Sequence, residues 1–185
     1  MIKSNKANDS LFLDRDGVIN ELLPGEYVRS VDSFKFKAGV LPEISKLSKI
    51  FKNIFIITNQ QGIGKGLMSI EDLESIHQWM LSEIQKSGGK ITKIYFCPHL
   101  KESNCDCRKP KPGMILKAFQ EFSEIIPQNC YFIGDTDTDM SAAMQAGITP
   151  VAFLDSNKNI DNWSVKPRYL IHQLEEFRLN ILPLV

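Results

Sequence analysis

Leu11-Phe12-Leu13-Asp14-Arg15-Asp16-Gly17-Val18-Ile19-Asn20 is the stretch whose reading decides the fold. A short apolar run ends in two carboxylates one residue apart, followed by a glycine. Strand side chains alternate faces, so Asp14 and Asp16 would point the same way if the strand continued. At the carboxyl end of a parallel strand they would stand at the mouth of the crevice where open α/β sheets place their ligands. Two like charges this close repel unless a cation or a shared proton sits between them. Magnesium is the simplest reconciliation, a hard ion held by one or two carboxylates plus substrate phosphate oxygens. Taken alone, D-x-D is equally a strand end running into an Asx turn with solvated carboxylates, so the rest of the chain must decide.

At 185 residues the chain is long enough to bury a proper core and is expected to form one domain. Lys plus Arg and Asp plus Glu each number 22, and the resulting zero formal charge gives no footprint for nucleic acid or an anionic membrane. Met1 to Ser10 are polar and lack the apolar stretch of a signal peptide, and no run approaches the length of a membrane span. Three of the four cysteines cluster between Cys97 and Cys107, which without a secretory signal reads as metal ligation rather than disulfides. The expected setting is the cytoplasm.

Outward from the opening strand, strand and helix patterns alternate. Glu21 to Lys37, with Pro24-Gly25 as a turn, reads as a loop or flap. Pro42 suits the first turn of a helix through Ile44 and Leu47. Asn53 to Thr58 is a buried-type strand, and Gln60 to Gly66, with three glycines, a loop. Ser69 and Asp72 have capping-box spacing for a helix whose apolar face is Ile70, Leu73, Ile76, Met80, Leu81 and Ile84, ended by Gly88-Gly89. Strands follow at Ile91 to Cys97, Cys130 to Gly134 and Thr149 to Phe153. Helices are expected through Ile115 to Phe122 and over Asp137 to Ala146, with a short strand at Tyr169 to Ile171 and a closing helix. This alternation predicts an α/β fold: a mostly parallel sheet with helices on both faces.

Cys97-Pro98-His99 and Cys105-Asp106-Cys107 supply four ligands of the type and number zinc takes in closed structural sites. Nothing from Pro98 to Pro112 has an apolar face to hold it down, so a metal clip would order a loop that packing cannot. Arg108, Lys109 and Lys111 are too few for a nucleic-acid-binding module.

Three further strand ends carry polar groups: Thr58-Asn59-Gln60, Arg108-Lys109-Pro110, and Gly134-Asp135-Thr136-Asp137-Thr138-Asp139. Phosphoryl transfer needs this inventory of nucleophilic carboxylate, hydroxyl, cation and further acid. Singly, Thr58 could be a plain strand end, Lys109 a solvated lysine, and Asp137 and Asp139 could simply favour a helix dipole. Their joint occurrence at successive strand ends is what points to a site.

On D-R-D-G, I-T-N, R-K-P and G-D-x-x-x-D, the chain from Leu11 to about Phe153 resembles the haloacid dehalogenase (HAD) superfamily phosphatases. The C-P-H…C-D-C-R-K-P-K-P-G-M stretch is similar to a capless, zinc-loop subgroup that acts on heptose 1,7-bisphosphate or on histidinol phosphate. The resemblance implies a three-layer Rossmann-like domain spanning 1–185, without a large cap, with the zinc loop 97–112 inserted at the site mouth. It implies that Asp14 attacks phosphorus and that Asp16 protonates the leaving alkoxide and then activates water. Thr58 and Lys109 would hold phosphoryl oxygens. Asp14, the Asp16 backbone carbonyl and Asp135 would bind Mg2+, with Asp139 in support, while Cys97, His99, Cys105 and Cys107 would hold structural Zn2+. Arg15 would brace the loop or face solvent. Arg108 would reach the substrate beyond the transferred group, and Asn59, Gln60, Gln61 and Tyr27 would line the entrance.

Between the two substrates, the short spacer from His99 to Cys105 resembles the histidinol-phosphate enzyme. The loop Gln60 to Gly66, and the absence of a fused dehydratase among these residues, favour the heptose bisphosphate. Lys65 would recognise the retained second phosphate. The expected partner is thus a small phosphate ester, a sugar bisphosphate, acted on by a monomer without nucleic acid or membrane. Two other classes fit parts of the pattern: a receiver-like phosphoacceptor, and a zinc-ordered interaction module without activity. In a receiver, however, the acceptor aspartate follows a central strand rather than the first.

Overall fold

The computed structural model describes residues 10–23, 25–155 and 159–184; the polar residues 1–9 and the Pro24 half of the expected turn lie outside them. Strands β1 (Ser10–Leu13), β2 (Asn53–Asn59), β3 (Lys93–Cys97), β4 (Tyr131–Gly134), β5 (Thr149–Phe153) and β6 (Tyr169–Ile171) form one sheet. Its order is β3-β2-β1-β4-β5-β6 and every pairing is parallel. The chain builds outward from β1 to β3 and then returns to the other side of β1 to lay down β4. That reversal opens a crevice at the carboxyl ends of β1 and β4, where an α/β sheet binds its ligand.

Helices α1 (Val40–Leu47), α2 (Gln61–Gly64), α3 (Ile70–Lys86), α4 (Gly113–Glu121), α5 (Asp137–Gln145) and α6 (Leu174–Glu176) connect or close the strands. Leu11 and Leu13 face a core cluster with Ile44 and Leu47 of α1, Leu73, Ile76, Met80 and Ile84 of α3, and Leu174 of α6. Phe12 points the other way, onto Phe55, Phe132, Met114 and Ala118 of α4, and Ala142 of α5. All four β1 residues are buried, which is why Leu11 to Leu13 read as an unbroken apolar run.

The expected elements form, with three adjustments. Gln61 to Gly64 is not loop but one helical turn. In α3 the capping box is made, with Ser69 Oγ accepting from the Asp72 N–H at 3.0 Å and Asp72 Oδ2 from the Ser69 N–H at 2.8 Å. Ile70, however, is 44% exposed, because at 100° per residue it stands at the edge of the stripe centred on Leu73, Met80 and Ile84; His77 is buried on that face instead. Finally, Glu21 to Lys37 is no free flap. Its end is tied back by an antiparallel bridge between Asn20 and Phe36, and Phe34 and Phe36 pack on Trp79 of α3 with ring centres 5.5 and 5.6 Å away. At the carboxyl end of the chain, α6 runs into a wider turn over Phe177–Ile181, and Phe177 packs its ring against Phe51 and Tyr131.

Candidate active site

Three strand ends and the loop beyond β3 deliver the site. Asp14 follows β1, and its N–H donates to Ile133 O of β4 at 2.9 Å, so it sits over the crevice. Lys109 Nζ lies 2.7 Å from Asp14 Oδ1, 2.6 Å from Asp139 Oδ1 and 3.0 Å from Ile57 O. Asp139, in the first turn of α5, also accepts the Thr136 N–H and hydroxyl, forming that helix's capping box. Asp135, at the end of β4, presses on the glycine after D-x-D. Gly17 has φ +94°, and a Cβ there would lie 2.6 Å from Asp135 Cγ, so both the backbone shape and the close approach require glycine. Burial, together with the Asp139 and Asp135 carboxylates, raises the Asp14 carboxyl well above its usual range against the pull of Lys109. Burial opposes the charge on Lys109, but Asp139 and Asp14 more than offset it and hold the ammonium firmly protonated.

Asp14, Asp135 and Asp139 offer oxygens that lie within 4.8 Å of one another. Three buried carboxylates against one ammonium leave an excess negative charge, the environment a hard divalent cation neutralises. Asp16 is not in this group. β1 ends at Leu13, so the condition for parallel D-x-D side chains is not met, and the two carboxylates diverge. Asp16 Oδ1 accepts from Arg15 Nη2 (2.9 Å) and Asn20 Nδ2 (3.0 Å), and Oδ2 from Gln60 Nε2 (2.9 Å) and Thr58 Oγ1 (3.4 Å). Burial works against its charge, but Arg15, Asn20 and Gln60 more than offset that and hold the carboxyl below its usual range.

A cavity of about 210 Å³ is lined by Asp14, Asp16, Thr58, Asn59, Lys109, Asp135, Thr136 and Thr138, with Leu22 over it. Asp16, Asn59 and Leu22 also line an adjoining space of about 160 Å³ with Gln60 and Tyr27. On another side, Asn59, Lys109 and Thr138 border a cavity of about 400 Å³ whose walls carry Arg108, Lys101 and Lys111. Asn59 and Gln60, expected at the entrance, line these spaces and are also hydrogen-bonded within the protein. Asn59 clamps the backbone of Lys109 through both amide atoms, at 3.2 and 3.1 Å, and buried Gln60 bridges Arg15, Asp16 and Thr58. Gln61 lines none of these three spaces, and Lys65 lies over the Tyr27 ring at 5.3 Å.

The second cluster lies beyond β3. Cys97 Sγ is 3.5 Å from Cys105 Sγ and 3.2 Å from Cys107 Sγ, Cys105 and Cys107 are 3.4 Å apart, and His99 Nδ1 is 3.7 and 3.3 Å from Cys97 and Cys107. The thiols are free, and these separations approach the ~3.8 Å edges of a tetrahedron with 2.3 Å zinc–sulfur bonds. Burial and the two neighbouring sulfurs push the Cys107 thiol up to about 12, and a bound cation would favour its thiolate. The loop packs tightly on α4, since a Cβ on Gly113 would lie 2.2 Å from Asp106 O.

Sequence reasoning missed two partners. Arg15 is 1% exposed, which decides between its two expected roles in favour of the brace. His77, unmarked within the apolar stripe of α3, meets it at 3.2 Å; a polar residue at i+4 from Leu73 was the available signal. Asn20, at the end of the opening motif, also holds Asp16.

The HAD-hydrolase-like family model matches residues 106–177. A D-glycero-beta-D-manno-heptose-1,7-bisphosphate 7-phosphatase of Helicobacter pylori (strain J99) is 37% identical over 158 residues, 85% of this chain and 87% of its own. The D-glycero-alpha-D-manno-heptose-1,7-bisphosphate 7-phosphatase of Campylobacter jejuni is 42% identical over 153 residues, 80% of this chain and 84% of its own. The crystal structure of D,D-heptose 1,7-bisphosphate phosphatase from B. bronchiseptica, complexed with magnesium and phosphate, matches with a TM-score of 0.83 at 29% identity, covering 90% of this chain and 93% of its own. That of the Burkholderia thailandensis enzyme matches at 0.70 and 26% identity, covering 95% and 99%. With the four motifs converging on one crevice, this chain belongs to the D-glycero-D-manno-heptose 1,7-bisphosphate 7-phosphatase family of HAD-superfamily phosphatases.

Proposed function

We propose that this chain removes the 7-phosphate from D-glycero-D-manno-heptose 1,7-bisphosphate through an aspartyl-phosphate on Asp14. The observation that carries the reading is the buried Asp14–Lys109 pair at the floor of a cavity walled by Asp16, Thr58 and Asp135. Asp14 Oδ attacks phosphorus while the ester P–O bond breaks, and the leaving alkoxide takes a proton from the Asp16 carboxyl. Asp16, now ionised, takes a proton from the water that attacks the aspartyl-phosphate; the P–O bond to Asp14 breaks and phosphate leaves. Lys109 and Thr58 hold the phosphoryl oxygens. Asp14 and Asp135, with the Asp16 backbone carbonyl, would hold magnesium, and Asp139 supports the set by fixing Lys109. When bound, magnesium offsets the charge on the phosphoryl oxygens. Cys97, His99, Cys105 and Cys107 would hold a structural zinc that orders the loop to Pro112.

The retained phosphate needs cations beyond Lys109. Arg108 is well placed, lining the cavity that shares Asn59, Lys109 and Thr138 with the reacting centre, and Lys65 with Tyr27 offers a second contact. We further infer a single domain over residues 1–185, acting as a cytoplasmic monomer; among the described residues no helix is long and apolar enough to cross a membrane.

The test is magnesium-dependent phosphate release from heptose 1,7-bisphosphate and from histidinol phosphate at matched concentrations, with Asp14→Asn as the blank. A preference for the bisphosphate of about a hundredfold in kcat/KM, ~3 kcal/mol of transition-state binding, supports the proposal. The reverse preference makes the chain a histidinol-phosphate phosphatase. Turnover of 4-nitrophenyl phosphate alone would leave the phosphatase chemistry and remove both substrates.

A further inference from the structure

Asp16 is held by a chain of buried side chains that reaches back to α3, and no step of the proposed reaction uses its far end. Arg15 Nη1 meets His77 Nε2 at 3.2 Å, while Nη2 donates to Asp16 Oδ1 at 2.9 Å and to Gln60 Oε1 at 3.2 Å. Gln60 Nε2 then donates to Asp16 Oδ2 at 2.9 Å and to Thr58 Oγ1 at 2.7 Å. The chemistry of the donors fixes every orientation. Arginine has only donors, so His77 Nε2 must present its lone pair, and Gln60 Oε1 must face Arg15. The Gln60 amide nitrogen is then committed to Asp16 and Thr58. With one lone pair of Thr58 filled by Gln60, its hydroxyl proton is left to the long 3.4 Å contact with Asp16 Oδ2, which a bound phosphoryl oxygen would replace.

We propose that His77 is a positioning residue that acts through Arg15 and Gln60. By anchoring the guanidinium, it holds the Asp16 carboxylate in the attitude that takes the proton from water during hydrolysis of the aspartyl-phosphate. Several observations support this. The Arg15 side chain is fully buried and its Nε has no partner among the described residues, so the hydrogen bonds it makes run through the relay. His77 is buried in an otherwise apolar stripe, with its ring edge-on to Phe96 at 6.1 Å between centres. A histidine there is explained by the acceptor it offers Arg15. In the step concerned, water oxygen bonds to phosphorus, the P–O bond to Asp14 breaks, and the water proton passes to Asp16. A misaimed Asp16 slows this step while leaving attack by Asp14 intact.

The inference rests on the aspartyl-phosphate chemistry proposed above, and wild-type turnover of 4-nitrophenyl phosphate checks that reading separately. This ester is the right probe because nitrophenolate leaves without needing a proton, which separates formation of the intermediate from its hydrolysis. His77→Leu keeps an apolar side chain in the stripe and removes the acceptor. It is expected to lower kcat about ten- to a hundredfold and to show a rapid burst of nitrophenolate approaching one per site before the slow steady state. His77→Gln, whose amide oxygen can accept from Arg15, should restore kcat and abolish the burst. Arg15→Lys keeps the charge but cannot span His77, Asp16 and Gln60, and should give the same burst without altering α3. A fall in kcat without a burst in His77→Leu and Arg15→Lys, an unchanged kcat, or failure of His77→Gln to restore turnover would each overturn the assignment.

Discussion

Asp14→Asn should abolish turnover and, in magnesium-free buffer, make the protein more stable. The structure gives the size of the effect. Asp14 lies 2.7 Å from the Lys109 ammonium, an attraction of about 6 kcal/mol at an effective dielectric of 20. One of its oxygens lies within 4.8 Å of an oxygen of Asp135 and of Asp139, and each repulsion is then about 3.5 kcal/mol on the same scale. The one attraction and the two repulsions nearly cancel. What remains is the cost of holding a carboxylate out of water, several kcal/mol before relaxation. Asparagine keeps the shape and an acceptor oxygen for Lys109, which retains Asp139 as its counter-ion. A gain of about 2 kcal/mol is expected, or roughly 4–8 °C in Tm for a chain of this length. The assay is thermal and urea unfolding of wild type and variant in chelator, then in millimolar magnesium. Magnesium should raise the wild-type Tm, as any ligand of the native state does, and raise the variant's much less. An Asp14→Asn protein less stable than wild type in chelator would refute the argument, because it would make Lys109 the dominant interaction and the acidic cluster no burden.

Cys105→Ser, or exhaustive chelation, should release about one zinc per chain in native mass spectrometry and expose the backbone of residues 98–112 to hydrogen exchange, while β1 and β4 stay protected; a loop equally protected without metal would sink the zinc assignment. Lys65→Ala should raise KM severalfold for a sugar bisphosphate and leave it unchanged for a monophosphate, equal effects arguing against a role at the second phosphate. Burial and the Arg15 guanidinium push His77 down to about 3, so as pH falls from about 6.5 the unfolded chain binds a proton that the native chain refuses. Relative to His77→Gln, wild type should therefore lose up to about 1.4 kcal/mol of stability per pH unit in that window, a dependence absent above it; a difference between the two proteins that does not change with pH would refute it.

The sheet was legible because the strands that matter most are covered on both faces. Leu11 to Leu13 and Ile54 to Ile57 are apolar at every position, since α1 and α3 take one face and α4 and α5 the other. The motifs were legible because each is a run of neighbours, three at strand ends and R-K-P in the loop beyond β3, and the parallel sheet does the work of bringing them together. Sequence spacing misled where it assumed that a strand continues. Asp14 and Asp16 looked like a pair sharing one cation, yet the strand stops at Leu13 and Gly17 turns the chain so that Asp135 can approach. Asp14 therefore joins Asp135 and Asp139, and Asp16 joins Arg15 and Gln60. The relay was beyond reach for another reason. Its links join Arg15 to Gln60, 45 residues on, and to His77, 62 residues on, and both lie in stretches whose local pattern has its own explanation, a glycine-rich loop and an apolar stripe.

The division of the two carboxylates also explains why the site is built from so many elements. In the proposed mechanism Asp14 works beside like charges, and its burial at the centre of the sheet raises its carboxyl; Lys109 pulls the other way, and a bound cation would add to that pull toward the ionised, nucleophilic form. The proposed mechanism asks Asp16 to serve as acid and then as base at one position, and its surroundings favour the base: Arg15, Asn20, Gln60 and Thr58 all donate to it. An environment set for the ionised form assists the hydrolytic half of the reaction and burdens the half in which Asp16 must carry a proton. Proton delivery to the leaving oxygen would be favoured by a carboxyl turned from those donors, toward the cavity Asp16 already lines. On this proposal the side chains that aim Asp16 for water are the ones it releases for the ester, and the strength of the Arg15 contact would set the balance between the two half-reactions.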